Sequence, residues 1–406
     1  MRLLRLQVKG SPQYVDEGIN LVFFATDKVM RDDECAPLDV TRVGGRGSIY
    51  SLNVMGITGV NASGKTTTLN ILRYVLEFMA GPYAMRQTYF TGVDRLGKLG
   101  DNLDITVVFW ENGTFYLLQS ELTHYLTSLG EASRGKLPSD QFSFEDETLW
   151  QLEASSLNRQ MLLSSNEFMR HARIILKRNA PEDDPAALPD GAKTFLDDRE
   201  SIVSFVTGKM SVGVEGTERL LHEITMPTPV IQAFDASVEC LNWDGEAKVF
   251  HLKVKGEPER IVSREVAAQM LSSGTVAGAE MVSHAIEILR SGGYLIVDEI
   301  ETSLNRSLVG VIIGLFSSPS TNPHGAQLVF TTHYPELLDL LHRKDSVYIL
   351  IRDNEYKTNA VKYSEQVDRI ENKKSAVILN NLIVGSMPAY PDVHAMREYV
   401  RKRVNE

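Results

Sequence analysis

The stretch Gly59-Val60-Asn61-Ala62-Ser63-Gly64-Lys65-Thr66 constrains this chain more than any other. It fits GxxxxGK[ST], in which glycines let the backbone bend tightly and backbone N–H groups cradle phosphate oxygens. A helix that follows adds the positive end of its dipole. In such a loop Lys65 reaches the β/γ-phosphates of a nucleotide and the Thr66 hydroxyl ligates Mg²⁺. Gly59, Asn61, Ala62, Ser63, Gly64 and Thr67 complete the expected ATP-contacting set. With glycine at ~7% of residues, the pattern arises by accident in roughly one chain of this length in a hundred, so context must decide. Residues 49–57 read as one apolar, β-rich strand entering the loop. Thr67, Leu69, Ile71, Leu72, Val75, Leu76 and Met79 then repeat at helical spacing. Strand, glycine loop and helix is the arrangement that phosphate binding needs.

The chain has 406 residues, which predicts two or three domains with a large core. Its net charge of −11 argues against non-specific coating of nucleic acid, although a local basic groove stays open. Only Cys35 and Cys240 occur, as expected of small buried side chains in a reducing compartment, and no Cys/His spacing suits a metal. No apolar run approaches the length of a membrane span, so a cytoplasmic protein is expected. Neither internal repeats nor sustained heptads are evident.

Taken in order, residues 1–26 predict two strands. Arg42, Gly44, Gly45, Arg46 and Gly47 then read as a surface loop or as a neighbour of the nucleotide. Residues 104–110 and 114–119 predict a hairpin around Asn112-Gly113. From 121 to 227 polar and acidic loops alternate with helical patterns such as 168–178, which reads as an insertion serving a partner or regulation. Its basic run Arg170, His171, Arg173, Lys177 and Arg178 is either the solvated face of a helix or a contact for nucleic acid or a partner. Residues 228–406 return to α/β character. Residues 230–238 suit a short helix and 249–254 a strand. A short loop, 271–275, opens a helix that Gly292-Gly293 ends. The tail predicts a strand pair and a helix over 375–384. Strand and helix alternate, so a parallel or mixed sheet flanked by helices is expected.

The second half of a nucleotide site follows. Tyr294 to Val297 is a continuous apolar strand ending in Asp298-Glu299. At the carboxyl edge of a parallel sheet, Asp298 would hold the Mg²⁺ shell and Glu299 would polarise the attacking water. His333 ends the next strand, as a structural histidine or as a γ-phosphate sensor aimed at the same crevice.

Together, the phosphate loop, Leu271-Ser272-Ser273-Gly274-Thr275, Asp298-Glu299, Ser303-Leu304-Asn305 and His333 resemble the head of an ABC-type ATPase. That resemblance implies an α/β P-loop fold and ATP with Mg²⁺ as ligands. It also implies a composite site, with Ser272, Ser273 and Gly274 acting in trans and Ser303 to Asn305 touching the partner. A homodimer or higher homo-oligomer closed around ATP follows. Asn305 departs from the His or Asp often found there, and Gln87 is the candidate for the glutamine loop. Within the class, the stretches from Ser272, Asp298 and Gln327, with Arg343 to Ile349 and Ala389-Tyr390-Pro391, are similar to stand-alone AAA-family ATPases related to overcoming-lysogenisation-defect (OLD) proteins. That tail, Arg343 to Ile349 with Ala389-Tyr390-Pro391, looks like the ATPase subunits of anti-phage abortive-infection systems, including the L-type and PARIS systems. OLD nucleases carry a Toprim domain with an Asp-x-Asp pair, and none follows His333. The resemblance therefore implies a separate toxic effector, Toprim-like or another nuclease, and a phage-derived trigger. A RecF/SMC-like ATPase gripping DNA directly is the alternative.

Overall fold

The computed structural model describes residues 1–29, 38–44, 49–80, 100–126, 140–189, 196, 198, 200–208, 210–215, 221, 223–367, 373–388 and 390–405. The expectations for Cys35, Gly45, Arg46, Gly47, Gln87 and Ala389 lie outside these residues.

Seventeen strands are described, and the first half of the chain supplies nine of them. These are β1 (Arg2–Lys9), β2 (Ile19–Val22), β3 (Val40–Val43), β4 (Ile49–Leu52), β5 (Val54–Gly59), β6 (Asn102–Glu111), β7 (Thr114–Leu126), β8 (Asp140–Glu153) and β9 (Arg173–Lys177). Then come β10 (Val212–Glu215), β11 (Val238–Asp244), β12 (Val249–Val254), β13 (Arg260–Val262), β14 (Tyr294–Val297), β15 (Gln327–Thr331), β16 (Val347–Arg352) and β17 (Thr358–Lys362). The main sheet has the order β10-β14-β15-β5-β16-β17, parallel except for β17. A second, antiparallel sheet has the order β2-β1-β6-β7-β8-β9. Three helices matter most for the site: α1 (Lys65–Met79), α2 (Ser273–Ser291) and α3 (Arg306–Ser317).

Period-two alternation explains the layering. Along the parallel strands, Met55, Ile57, Ile296, Val329, Tyr348 and Leu350 join α1 and the antiparallel sheet in one core. Their neighbours Val54, Leu295, Val297, Leu328, Phe330 and Ile349 join α2 and α3 in another. Successive side chains of a strand point to opposite faces, so apolar runs without a polar break are what a sheet covered on both sides requires. The helix α1 is thereby packed between the two sheets. A smaller unit, β11-β12-β13 with helices Thr228–Phe234 and Arg264–Met270, rests on the first turns of α2. Gly278 permits this packing, since a Cβ there would lie 2.1 Å from the Phe234 ring. These layers form the α/β architecture that the sequence implies, a mainly parallel sheet flanked by helices with the glycine-rich loop at its centre.

Several local expectations are corrected. The single strand over 49–57 is two strands, which pair in different sheets. Asn53 is the reason: its carbonyl accepts from Leu328 N of the main sheet, while its N–H donates to Asp39 O. The helical pattern over 168–178 is a helix, Ser165–His171, followed by β9. Ile174 and Ile175 are β-branched, and their segment pairs with β8. Val238 lies on β11, beyond a helix that ends at Phe234, and the helix expected over 375–384 is Lys374–Leu379. β7 runs on past residue 120, so 121–227 contributes β8 and β9 to the same sheet as β1 and β6. The basic run is dispersed: Arg170 bonds Glu167, Arg173 bonds Gln151, and Arg178 forms a buried ion pair with Glu147 at 2.9 Å.

Candidate functional site

Strand order brings the site together. β5 delivers the phosphate loop from the middle of the sheet, with β15 and then β14 beside it. The registers Thr331↔Ile57 and Val297↔Phe330 align their carboxyl ends. Lys65 to Thr67, Asp298-Glu299 and Thr331 to His333 therefore meet at one edge, where open α/β sheets place their ligands.

The loop itself is tight. A Cβ on Gly59 would lie 2.4 Å from the Leu350 carbonyl oxygen, and Gly64 has a φ of 92° just before α1. No side chain caps α1, so the amides of its first turn are left for a ligand. The Ser63 hydroxyl is buried without a hydrogen-bond partner among the described residues. Lys65 Nζ donates to Gly59 O at 2.8 Å and to Val60 O at 3.1 Å. Burial holds its ammonium below the usual lysine range, against the pull of Asp298, Glu299 and Glu301.

A chain of hydrogen bonds runs across the sheet edge. Thr66 Oγ1 donates to Asp298 Oδ2 at 2.8 Å. Thr331 Oγ1 donates to Asp298 Oδ1 at 2.6 Å and accepts from Glu299 N at 2.8 Å. Glu299, at a φ of 48°, turns its carboxylate to His333, with Nε2 and Oε1 3.1 Å apart. The His333 amide donates to Glu301 Oε1 at 2.7 Å. The histidine therefore faces Glu299 and is held there by its own backbone.

Of these groups Thr66, Glu299 and His333 line a cavity of about 640 Å³, together with Asn61, Ala62, Gly64, Lys65 and Thr67, while Asp298 and Thr331 stand behind it. The donor set suits a nucleotide with a hard cation. It offers a hydroxyl and a carboxylate side by side, an ammonium and uncapped helix amides. Among the described residues no group of three or more His, Cys, Asp or Glu could cage a metal. Phosphate oxygens would thus be needed to complete the coordination of Mg²⁺ at Thr66 and Asp298.

Not every expected site residue lines this cavity. Ser272 and Ser273 are exposed elsewhere, and the Ser272 hydroxyl caps α2 by accepting from Thr275 N at 3.0 Å. Gly274 packs against the other expected contact loop, since a Cβ on it would lie 2.8 Å from Ser303 O. Leu304 is buried in the core, and Asn305 caps α3 by accepting from Leu308 N at 3.0 Å. Only Ser303 of this loop is both exposed and at a strained φ of 65°. Sequence reasoning missed five residues. Thr331 carries the link between Asp298 and Glu299, and Gln13, Arg352, Tyr356 and Thr358 line the cavity. The strand pair expected in the tail was the one available signal for the last three.

No family model matches the sequence, and no curated protein matches it. Among solved structures, the chain is similar to an SMC head domain from Thermotoga maritima, at 14% identity and a TM-score of 0.38. The match covers 89% of this chain and 99% of that one. So shallow a likeness carries no argument about function. The fold assignment rests on the strand order and the layering of the sheets.

Proposed function

We propose that this chain binds ATP with Mg²⁺ and hydrolyses it, as an ABC-type ATPase that pairs with a second copy around the nucleotide. The observation that carries the reading is the hydrogen-bonded series Thr66, Asp298, Thr331, Glu299 and His333, of which Thr66, Glu299 and His333 line the phosphate-loop cavity. Lys65, Ser63 and the α1 amides hold the phosphates. Mg²⁺ supplies charge neutralisation at the β- and γ-oxygens when bound. Glu299 orients the attacking water and takes its proton on a carboxylate oxygen, while His333 Nε2 fixes the direction of that carboxylate.

On this reading Ser272 and Ser273, with Ser303, are exposed and away from their own cavity because they serve the nucleotide of a second protomer. Extending the reading, the ATPase is the sensor and scaffold of an anti-phage system. It restrains a separate toxic effector, with 121–227 as the partner-facing or regulatory insertion. That extension is supported by the resemblance of the tail, Arg343 to Ile349 with Ala389-Tyr390-Pro391, to such subunits.

Glu299→Gln tests the core of the reading. It should bind ATP normally, lose turnover and accumulate an ATP-bound oligomer on size-exclusion chromatography. Hydrolysis at the wild-type rate in the purified variant would remove Glu299 from the mechanism.

A further inference from the structure

At the same sheet edge, on the side of β5 away from β15 and β14, the cavity wall comes from the turn between β16 and β17. Its residues Arg352, Tyr356 and Thr358 line the same space as the phosphate loop. The turn is braced at its base. Thr358 Oγ1 donates to Ser63 O at 2.9 Å, and its methyl and hydroxyl are what a Cβ on Gly64 would meet. Thr358 N donates to Gln13 O at 2.7 Å, and Val15 N donates to Thr358 O at 3.1 Å. The turn is also closed on itself, because Asp353 Oδ1 accepts from Glu355 N and Lys357 N at 2.9 Å each. Its position relative to the phosphate loop is therefore fixed.

Two side chains use that position. Arg352 is the cross-strand partner of Thr358, so both project from the same face of the hairpin, toward the phosphate loop. Tyr356 has a φ of 62°, a conformation unfavourable for a bulky residue and easy for Gly or Asn. The residue is 76% exposed, and it is the one aromatic among the described residues lining the cavity besides the His333 imidazole. A turn needing only to reverse direction has no use for a strained, solvated tyrosine. A ring-shaped ligand has one.

We propose that the turn between β16 and β17 is the nucleoside platform of this site. Tyr356 stacks on the purine ring of a nucleoside triphosphate, and Arg352 places a second cation beside its phosphates. The inference rests on the nucleotide-binding reading above and deepens it. Every base offers a π face, so the platform separates a nucleoside triphosphate from bare polyphosphate more than one base from another.

The test compares ATP with inorganic tripolyphosphate, by calorimetry on the full chain, for wild type, Tyr356→Ala, Tyr356→Trp, Arg352→Ala and Lys65→Ala. Tyr356→Ala should weaken ATP roughly 5- to 100-fold, the range of base–aromatic stacking, and leave tripolyphosphate unchanged. Tyr356→Trp should restore ATP binding. Arg352→Ala should weaken both ligands alike. ATP affinity unchanged in Tyr356→Ala, or ATP and tripolyphosphate weakened equally by it, would overturn the platform. Lys65→Ala separates the two readings. If it abolishes both ligands while Tyr356→Ala alters neither, the platform fails and the phosphate site stands. If Lys65→Ala leaves ATP binding intact, the underlying reading fails.

Discussion

Thr331→Val tests whether the carboxylates are held or merely nearby. Thr331 is fully buried, and its hydroxyl makes two bonds at once, to Asp298 Oδ1 at 2.6 Å and from Glu299 N at 2.8 Å. Valine fills the same volume, so no cavity term enters. A hydrogen bond to a charged acceptor contributes about 1.5–3 kcal/mol, and a half-buried amide left without its acceptor costs about 1–3 kcal/mol. Part of both is returned by removing a hydroxyl from the interior, leaving a net loss of about 2–4 kcal/mol. The functional effect follows from position, since a 1 Å displacement of a catalytic group can cost ~100-fold. Urea unfolding should show the stability loss, and steady-state phosphate release should fall about 10- to 100-fold. Thr331→Ser keeps the hydroxyl and should retain turnover. If Thr331→Val keeps its stability to within about 0.5 kcal/mol and its turnover to within about twofold, the bridge does not position the site.

Two further outcomes are expected. Lys362 is 2% exposed and its ammonium has no hydrogen-bond partner among the described residues, although Tyr348 offers its ring 5.9 Å away. Burial brings its pKa down to about 8, while Asp345, Glu365 and Asp27 pull it back up. The unfolded chain therefore binds more protons between about pH 8 and the ordinary lysine value near 10.5, and stability rises with pH across that window. Below pH 8 the buried charge costs about 2–3 kcal/mol, so Lys362→Met should be the more stable protein at pH 7. The gap should close toward pH 10.5 in chemical denaturation, and a gap independent of pH would refute the assignment. Ser273→Arg should bind ATP but not hydrolyse it. Mixed with Lys65→Ala subunits it should recover part of the activity, because one intact composite site then forms. A mixture as inactive as its components would count against the in-trans role.

Much of this was legible in the sequence, and for particular reasons. The phosphate loop and the strand ending at Asp298 declare themselves because each obeys a local rule, a glycine spacing or an uninterrupted apolar run. His333 could be paired with Glu299 because both end neighbouring strands. What escaped was non-local or depended on one polar residue. Asn53 splits an apparently continuous strand because its backbone bonds both to Asp39 and to Leu328, 14 and 275 residues away. Residues 173–177 carry a helix-like pattern, yet pairing with β8 decides their state. Tyr356 and Arg352 gain meaning only because Thr358 ties their turn to the phosphate loop across 295 residues.

The place of β5 has a consequence for how the protein is made. The strand that carries the phosphate loop is flanked by β15 and β16, which leave the ribosome some 270 residues later. A nascent chain ending near residue 300 holds every residue of the loop but neither strand that fixes it. Loop closure over such a separation is slow and must precede any gain from pairing. The phosphate loop therefore gains its two flanking strands only after β15 and β16 have been made. Until then the growing chain presents an open apolar edge, a natural point of engagement for chaperones.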